Sequence, residues 1–531
     1  MLTALVIVVV VLSNAAGDVF LTRGMKQVGD VSAAIRRGEL RATIRRIACN
    51  GNIIFGIACL AVSFFSFLAV LSWANLSFVV PATAIVYVVT VLGARFFLGE
   101  KVDRLRWGGT LMICFGVALV CLPPDMSVSL HMLMRPFKFF FGALTIASVC
   151  YYLACIIAAE RFFSKNGREN AKGQLLSSSS AKEAEEGFYR PISVLVPLCG
   201  ADFRAYQNYA SLCRQDYPQF EIIFGVADPT DSSLPVVAKL RADFPEIPIQ
   251  LVVSEDQIGP NPKVNTLNNM LSHASHETLL MLDSDIRVRP DFITTISEEL
   301  SANAGGLVTC LYRAGEAPGL ASKLEAVGIS SEFAPGVLVA QMGGGISFAF
   351  GACIALTKKT IEAIGGFPAI APYLADDYML GNLVCKAGLP VKLSSCVVET
   401  VLSRLSTGGF FKHQLRWARG IRACAPWGHT GSLITNGTAL SFLYFAFSGF
   451  SRQGLFVFAT VVAVRLWMAW MVGVRRLGDD ILRRNLFLAP LRDFFSLAIW
   501  SAALFGRRVE WRGKVFRLEK HGRMIPQVTR C

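Results

Sequence analysis

The chain has 531 residues, 53% of them hydrophobic and only 17% charged, with a mean hydropathy of +0.48. That balance excludes an ordinary soluble protein and calls for several membrane spans beside at least one globular domain. The net charge of +14 does not point to nucleic acid, because Lys and Arg cluster beside apolar segments, where they act as positive-inside signals and meet anionic lipid.

Residues 2–19 are apolar and lack a basic start and a small-residue cleavage site, so they read as a retained span rather than a signal peptide. The following segment, 22–50, carries Arg23, Lys26, Arg36, Arg37, Arg41, Arg45 and Arg46, which places it in the cytoplasm and the N-terminus outside. Apolar length predicts further spans at 53–73, 78–98, 107–122 and 138–159. Five spans deliver Arg161, Lys165 and Arg168 to the cytoplasm, so parity and the charge rule agree. Asp18 is the only acid well inside a predicted span and is a functional candidate on that ground; a place near the cytoplasmic end, within reach of water, explains it equally well. The fourteen Cys form no Cys-x-x-Cys pair and read as small hydrophobes rather than disulfides or zinc ligands.

A polar stretch low in aromatics, 164–187, reads as a linker. Beyond it the pattern changes to short apolar strands at 192–197, 220–226 and 248–253 with helical stretches between them, which predicts a parallel sheet with ligands at the strand carboxyl ends. A fourth strand, Leu279-Leu280-Met281-Leu282, stops abruptly at Asp283-Ser284-Asp285. Two hard oxygen ligands in that position suit Mg²⁺ or Mn²⁺ bridging a diphosphate; a chance surface turn is the competing reading for the motif taken alone.

The second strand also ends on an acid, Asp228, placed to hydrogen-bond a base or ribose. After the third comes Gly259-Pro260-Asn261-Pro262-Lys263-Val264-Asn265, a shaped loop that puts Lys263 at a helix start, within reach of phosphate or of the metal-binding acids. Asp376-Asp377 opens a later helix, where two acids are commonly an N-cap. Farther on, His413-Gln414-Leu415-Arg416-Trp417 lies in a basic helix: Arg416 suits bidentate pairing with diphosphate, and Trp417 a wall for sugar or lipid.

In this order Asp228, Asp283-Ser284-Asp285, Asp377 and Arg416-Trp417 resemble the acid series and the (Q/R)xxRW motif of membrane glycosyltransferases with the GT-A fold. Ala227-Asp228-Pro229, the Gly259–Asn265 loop and Trp511-Arg512-Gly513-Lys514-x-Phe516-Arg517-Leu518 bring the resemblance closer to ceramide glucosyltransferases and their bacterial hopanoid-glycosylating relatives. His413 stands where that family usually has Gln or Arg. The resemblance implies that Asp228 binds nucleotide, that Asp283 and Asp285 hold metal and diphosphate, and that Asp377 is the general base of an inverting transfer. It also implies Lys263, Arg416 and Trp417 at the donor. The first four spans, with their Gly-rich helices and Pro81-Ala82-Thr83-Ala84, resemble one unit of the EamA-like drug/metabolite transporters.

The resulting expectation is an α/β GT-A glycosyltransferase domain, mainly parallel, inserted between transmembrane α-helices. Its parts are a four-helix membrane domain (1–123), one further span (124–163), the linker (164–187) and a cytoplasmic catalytic domain (188–428). Two spans with a re-entrant or interfacial helix (429–505) and a cytoplasmic tail (506–531) complete the chain. Within the catalytic domain 329–356 is unusually apolar and reads either as an interfacial lipid-entry surface or as buried sheet core. Arg492-Asp493 interrupts the last apolar run, which is why it reads as re-entrant. The expected partners are a UDP-sugar donor, a lipid acceptor and the membrane, with no nucleic acid, and the expected location is a bacterial inner membrane. A hexosyl transfer to ceramide leads; a hopanoid N-acetylglucosaminyltransferase, a processive polysaccharide synthase and a lipid or metabolite transporter are the rivals.

Overall fold

A computed structural model describes residues 2–29, 40–97, 104–120, 126–179 and 190–527. It divides into two compact units, Met1–Leu133 and Met134–Cys531.

The first unit is helical: Leu2–Val28, Leu40–Ala48, Gly51–Leu71, Leu76–Thr83, Val86–Phe97 and Arg104–Val120. Asn50 starts the Gly51–Leu71 helix by accepting from the Asn52 and Ile53 N–H groups, which satisfies donors the helix cannot. Leu2–Val28 and Gly51–Leu71 pack closely, and Ile54, Phe55, Ile57, Phe64 and Phe65 stay exposed. An apolar face of that size suits contact with lipid.

Among the described residues five helices are long and apolar enough to cross a membrane: Leu5–Val28, Gly51–Leu71, Phe78–Arg95, Met134–Ser164 and Arg452–Arg476. Of the span expected at 107–122, residues 107–120 lie in the Arg104–Val120 helix and 121–122 lie outside the described residues; within 429–505 an 11-residue apolar helix, Gly437–Phe447, precedes Arg452–Arg476. The polar run from residue 164 is helical as far as Ser179, and 180–189 lie outside the described residues.

The second unit is built on an eight-stranded sheet: β1 (Ile192–Pro197), β2 (Phe220–Val226), β3 (Ile249–Val253), β4 (Thr278–Met281), β5 (Ile286–Arg287), β6 (Leu307–Glu316), β7 (Ile354–Thr357) and β8 (Val391–Val401). Their order is β3-β2-β1-β4-β7-β6-β8-β5. β1, β2, β3 and β4 run parallel, as do β6 and β8; β7 is antiparallel to both its neighbours, and β5 is antiparallel to β8. The mainly parallel α/β sheet expected from the sequence is therefore present. β1 and β2 are buried along their whole length, which explains their unbroken apolar runs. Alternate residues feed two cores: Val194 and Phe224 pack with Leu240 and Ile293 on one face, while Leu195 and Ile223 pack with Val264, Leu267 and Met270 on the other. The chain winds outward from β1 in both directions, so the crevice beyond the carboxyl ends of β1 and β4 is the switch point where such sheets take ligands.

The 329–356 segment turns inward. Ile329, Ala334, Val337, Leu338, Ile346, Phe350 and Ile354 are buried, as the core reading has it, while Met342, Gly343, Gly344, Gly345 and Ser347 in its middle are exposed. After residue 505 the segment read as a tail folds into an antiparallel sheet of β9 (Arg508–Trp511), β10 (Lys514–Leu518) and β11 (Met524–Pro526). Its inward residues Val509, Phe516, Leu518 and Met524 pack on Leu374. The Met524 N–H donates to the Pro372 carbonyl at 2.8 Å and the Leu374 N–H to that of Gly522 at 3.1 Å.

The charges that interrupt the last apolar run are buried among partners. In the Leu488–Ala503 helix, Asp493 meets Arg465 of the Arg452–Ala469 helix at 3.0 Å, with both side chains 2% exposed or less. The Thr438 N–H and Tyr152 hydroxyl donate to the same carboxylate at 3.1 and 3.2 Å. Arg492 pairs with Glu332 at 2.9 Å and donates to Gln414 Oε1 at 2.8 Å. Removing one partner of such a pair strands a buried charge. Arg465→Leu is expected to lower stability by about 3–5 kcal/mol, and Arg465→Leu combined with Asp493→Leu to recover most of the loss, read as thermal unfolding midpoints in detergent. Equal midpoints for wild type and Arg465→Leu contradict this account of the network.

Candidate functional site

The site grows from places where apolar strands run out. Leu282 still donates its N–H to the Leu195 carbonyl at 3.1 Å, and the next residues turn, with Ile286 N–H closing on the Asp283 carbonyl at 3.2 Å. That turn presents three side chains at the end of β4. Asp283 Oδ1 lies 2.5 Å from Lys263 Nζ. Ser284 donates its hydroxyl to Asp202 Oδ2 at 2.5 Å, and Asp285 Oδ2 accepts from the Thr400 hydroxyl at 2.6 Å.

Lys263 is held by its loop. Asn261 caps the Pro262–Leu271 helix by accepting from the Lys263 and Val264 N–H groups, and its amide donates to the Tyr373 carbonyl at 2.8 Å and to Asp376 Oδ1 at 3.2 Å. Asn265 Oδ1 accepts from the N–H groups of Ile258 and Gly259, both at 3.1 Å. These bonds tie the lysine loop to the Asp376–Lys386 helix, so Lys263 Nζ also stands 3.9 Å from Asp376 Oδ2. Asp377, beside it, accepts from the Gly351 N–H at 2.8 Å and the Tyr378 N–H at 2.7 Å.

Gly351 is where these groups converge. A Cβ on it would lie 2.9 Å from both Asp283 Oδ2 and Lys263 Nζ and 3.5 Å from Asp377 Oδ2. The space that a methyl group would take is thus shared by all three. Gly381 brings the Asp377 helix equally close, since a Cβ there would sit 2.5 Å from Phe348 Cα.

The charges follow from this crowding. Burial pushes the Asp285 carboxyl up to about 7, with Asp283 adding to the effect. Burial, then Asp376, pushes Asp377 up to about 6. For Lys263 burial works against the charge, but Asp283, Asp376 and Asp377 outweigh it, so its ammonium is held above its ordinary value and stays charged. Asp202 is raised, first by burial.

The structure brings Lys263, Asp283, Asp285 and Asp377 together. Asp228 lies apart, exposed beyond β2 and two strands away from Asp283. The Thr230 hydroxyl and N–H donate to Asp228 at 2.6 and 2.7 Å and hold its carboxyl below the usual range. Arg416 and Trp417 are on the Thr407–Cys424 helix. His413 stands 3.1 Å from buried Glu325 and 4.5 Å, ring to ring, from Trp417, so it anchors that helix. Asp202, Thr400 and Gly351 escaped the sequence reading because each reaches the site from a distant part of the chain with no motif around it. Glycine next to the apolar Ser347-Phe348-Ala349-Phe350 run is the only local sign.

Among the described residues no three His, Cys, Asp or Glu side chains form a ready-made metal centre. Asp283 and Asp285 offer two carboxylates on one turn, and their mutual repulsion favours a cation. That set fits Mg²⁺ or Mn²⁺ completed by phosphate oxygens.

A mainly parallel sheet, acids beyond β2 and β4 and a raised carboxylate beside a fixed ammonium fit an α/β glycosyltransferase, and comparison with known proteins shows that class. The chain belongs to glycosyl transferase family 21, whose model matches residues 141–524. It is 25% identical over 347 residues to ceramide glucosyltransferase 1 of Caenorhabditis elegans, covering 63% of this chain and 72% of that one. To the ceramide glucosyltransferase of Candida albicans it is 28% identical over 172 residues, 29% and 32% of the two chains. Among solved structures it is similar to a mannosyltransferase from Pyrobaculum calidifontis in complex with GDP-Man and Mn²⁺. There the identity is 15%, the TM-score 0.39, and the match covers 69% of this chain and 99% of that one.

Gly351→Ala forces the Lys263–Asp283 pair and Asp377 apart. Displacements of that size in reacting groups cost on the order of 10²-fold in rate, and a loss of that order is expected in steady-state transfer assays with the unfolding midpoint little changed. Undiminished transfer by Gly351→Ala contradicts the convergence described.

Proposed function

We propose that this chain transfers a hexose from a UDP-sugar to the hydroxyl of a membrane lipid of the ceramide class, with inversion at the sugar carbon. The observation that carries the reading is the meeting of Asp377, Lys263 and Asp283 around the bare backbone of Gly351. An inverting transfer needs a base for the acceptor proton and positive charge for the departing diphosphate, close together, and no covalent enzyme intermediate. The lipid acceptor is supported by the relatives, which are named ceramide glucosyltransferases, and by apolar helices in the same unit as the sheet.

Asp377 accepts the proton of the lipid hydroxyl. The Gly351 and Tyr378 N–H groups fix its two oxygens, and each oxygen keeps a lone pair for the incoming proton. Lys263 neutralises charge on the departing UDP, and its pairing with Asp283 keeps the ammonium oriented before donor arrives. Asp228 binds the nucleotide, and Arg416 and Trp417 close the donor side. Asp283 and Asp285 would hold a divalent cation, which would supply positive charge to the leaving diphosphate.

The test offers UDP-glucose and UDP-N-acetylglucosamine, each with ceramide and with a hopanoid polyol, to detergent-solubilised protein. Glycosylated lipid and stoichiometric UDP are expected. Asp377→Asn is expected to lower kcat by 10²–10⁴-fold, the usual worth of a positioned base, while leaving UDP affinity unchanged. Failure of every donor and acceptor pair, or sugar appearing only on a growing glycan, overturns the proposal.

The raised Asp377 carboxyl also fixes a pH profile. The base works deprotonated, so kcat/KM should rise about tenfold per unit as pH approaches about 6 and level off above it. A profile that stays flat down into the ordinary carboxylate range contradicts the assignment of Asp377.

A further inference from the structure

The C-terminal hairpin contributes groups that no step above uses. β9 and β10 are joined through Arg512 and Gly513, with Trp511 paired to Lys514. Both turn residues have positive φ, 49° and 74°, which is the two-residue turn for which Asn-Gly is the preferred sequence. Arginine at its first position is a backbone outlier, and such outliers persist only where their surroundings fix them. Here they do, because the sheet behind the turn is hydrogen-bonded to Pro372 and Leu374, just ahead of Asp376-Asp377.

The Arg512 guanidinium lies 5.8 Å from the centre of the Trp511 ring, and Arg416 lies 6.0 Å from the same centre. Neither has an ion-pair partner among the described residues. Glu325 is within electrostatic range of Arg416 but pairs with His413, so both guanidinium groups keep their donors for an anion. The Arg512 charge is felt by Asp202 and by Asp231. Asp202 takes the hydroxyl of Ser284, and Asp231 accepts from the Gly200 N–H beyond β1 at 2.8 Å. Both acids stand at the strand ends, and the sheet that carries Arg512 is bonded to Pro372 and Leu374, on either side of Tyr373, whose carbonyl takes the Asn261 amide of the Lys263 loop.

We propose that Arg512, presented by the hairpin turn and paired with Arg416 across Trp511, is a second arginine for the diphosphate of the nucleotide-sugar donor. The inference rests on the UDP-sugar reading. Guanidinium groups grip phosphate oxygens bidentately, and Trp511 holds the two at a spacing they would not keep alone. The phosphate of an anionic lipid headgroup has the same chemistry; the position beside Asp202 and Ser284 favours the donor.

Arg512→Asn installs the preferred Asn-Gly turn while deleting the guanidinium, so the fold is retained. UDP and uridine affinities are measured by calorimetry in detergent free of anionic lipid, alongside donor and acceptor KM. UDP affinity is expected to fall about 10–100-fold, the worth of a charge-assisted pair. Donor KM should rise in step, with uridine affinity, acceptor KM and unfolding midpoint unchanged or the midpoint higher. Unchanged UDP affinity overturns the proposal, and so does an equal loss for uridine, which marks a structural role. If UDP affinity holds but stimulation by phosphatidylglycerol vesicles disappears, the arginine serves lipid and the proposal is again overturned. A wild type that neither binds UDP nor turns over a UDP-sugar refutes the activity itself; a wild type that does both, matched by Arg512→Asn, refutes only the hairpin's role.

Discussion

One ammonium among carboxylates governs the arrangement of the catalytic unit. Lys263 Nζ touches Asp283, stands near Asp376 and is held charged by these two together with Asp377. Acids this close would otherwise repel one another and drift toward protonation. With the lysine in place, three separate pieces of chain are drawn to one point: the turn after β4, the capped loop before Pro262–Leu271 and the start of Asp376–Lys386. The bonds of Asn261 and Asn265 keep the lysine from relaxing away, and the missing side chain of Gly351 leaves room for the groups to meet.

A second constraint joins this unit's apolar helices to the same centre. Glu325 lies in the Leu320–Gly328 helix and Glu332 about two turns on, in a five-residue π-helix, Ile329–Phe333, a form frequent at functional sites. Glu325 faces His413, while Glu332 faces Arg492, which in turn bonds Gln414. The Arg-Trp helix is thus fastened on one face by acids from the core and by an arginine from an apolar helix. Further fastenings include Arg419 to the Arg508 carbonyl and Arg422 to the Leu504 carbonyl, at 2.6 and 2.7 Å. For the transfer proposed above such coupling is useful, because it ties the helix that carries Arg416 and Trp417 to apolar helices of the same unit.

Much of the sheet was legible in the sequence because its strands are buried on both faces. β1 and β2 occupy the residues their apolar runs suggested, and β3 and β4 differ by one residue. The acids at the ends of β2 and β4 were readable for the same reason, since a polar break after a buried strand has a defined place in a parallel sheet. What escaped was long-range. Thr400 reaches Asp285 from 115 residues away and Asp202 reaches Ser284 from 82, and no periodicity encodes either. The C-terminal sheet was taken for a tail because its strands are three to five residues long and its turn is Arg-Gly rather than a recognised hairpin pair. Arg492-Asp493 was taken as a reason for a re-entrant helix; in the structure Asp493 has a buried partner in Arg465 and Arg492 a half-buried one in Glu332.

The most direct measurement of whether the carboxylates at the end of β4 and Lys263 form the donor-diphosphate centre is calorimetric titration of UDP into wild type and Asp283→Asn, each with and without Mg²⁺ or Mn²⁺. The account predicts tight binding by wild type only when the cation is present, and loss of that cation-dependent gain in Asp283→Asn. Equal UDP affinity in all four conditions would contradict it, and would move the diphosphate away from β4.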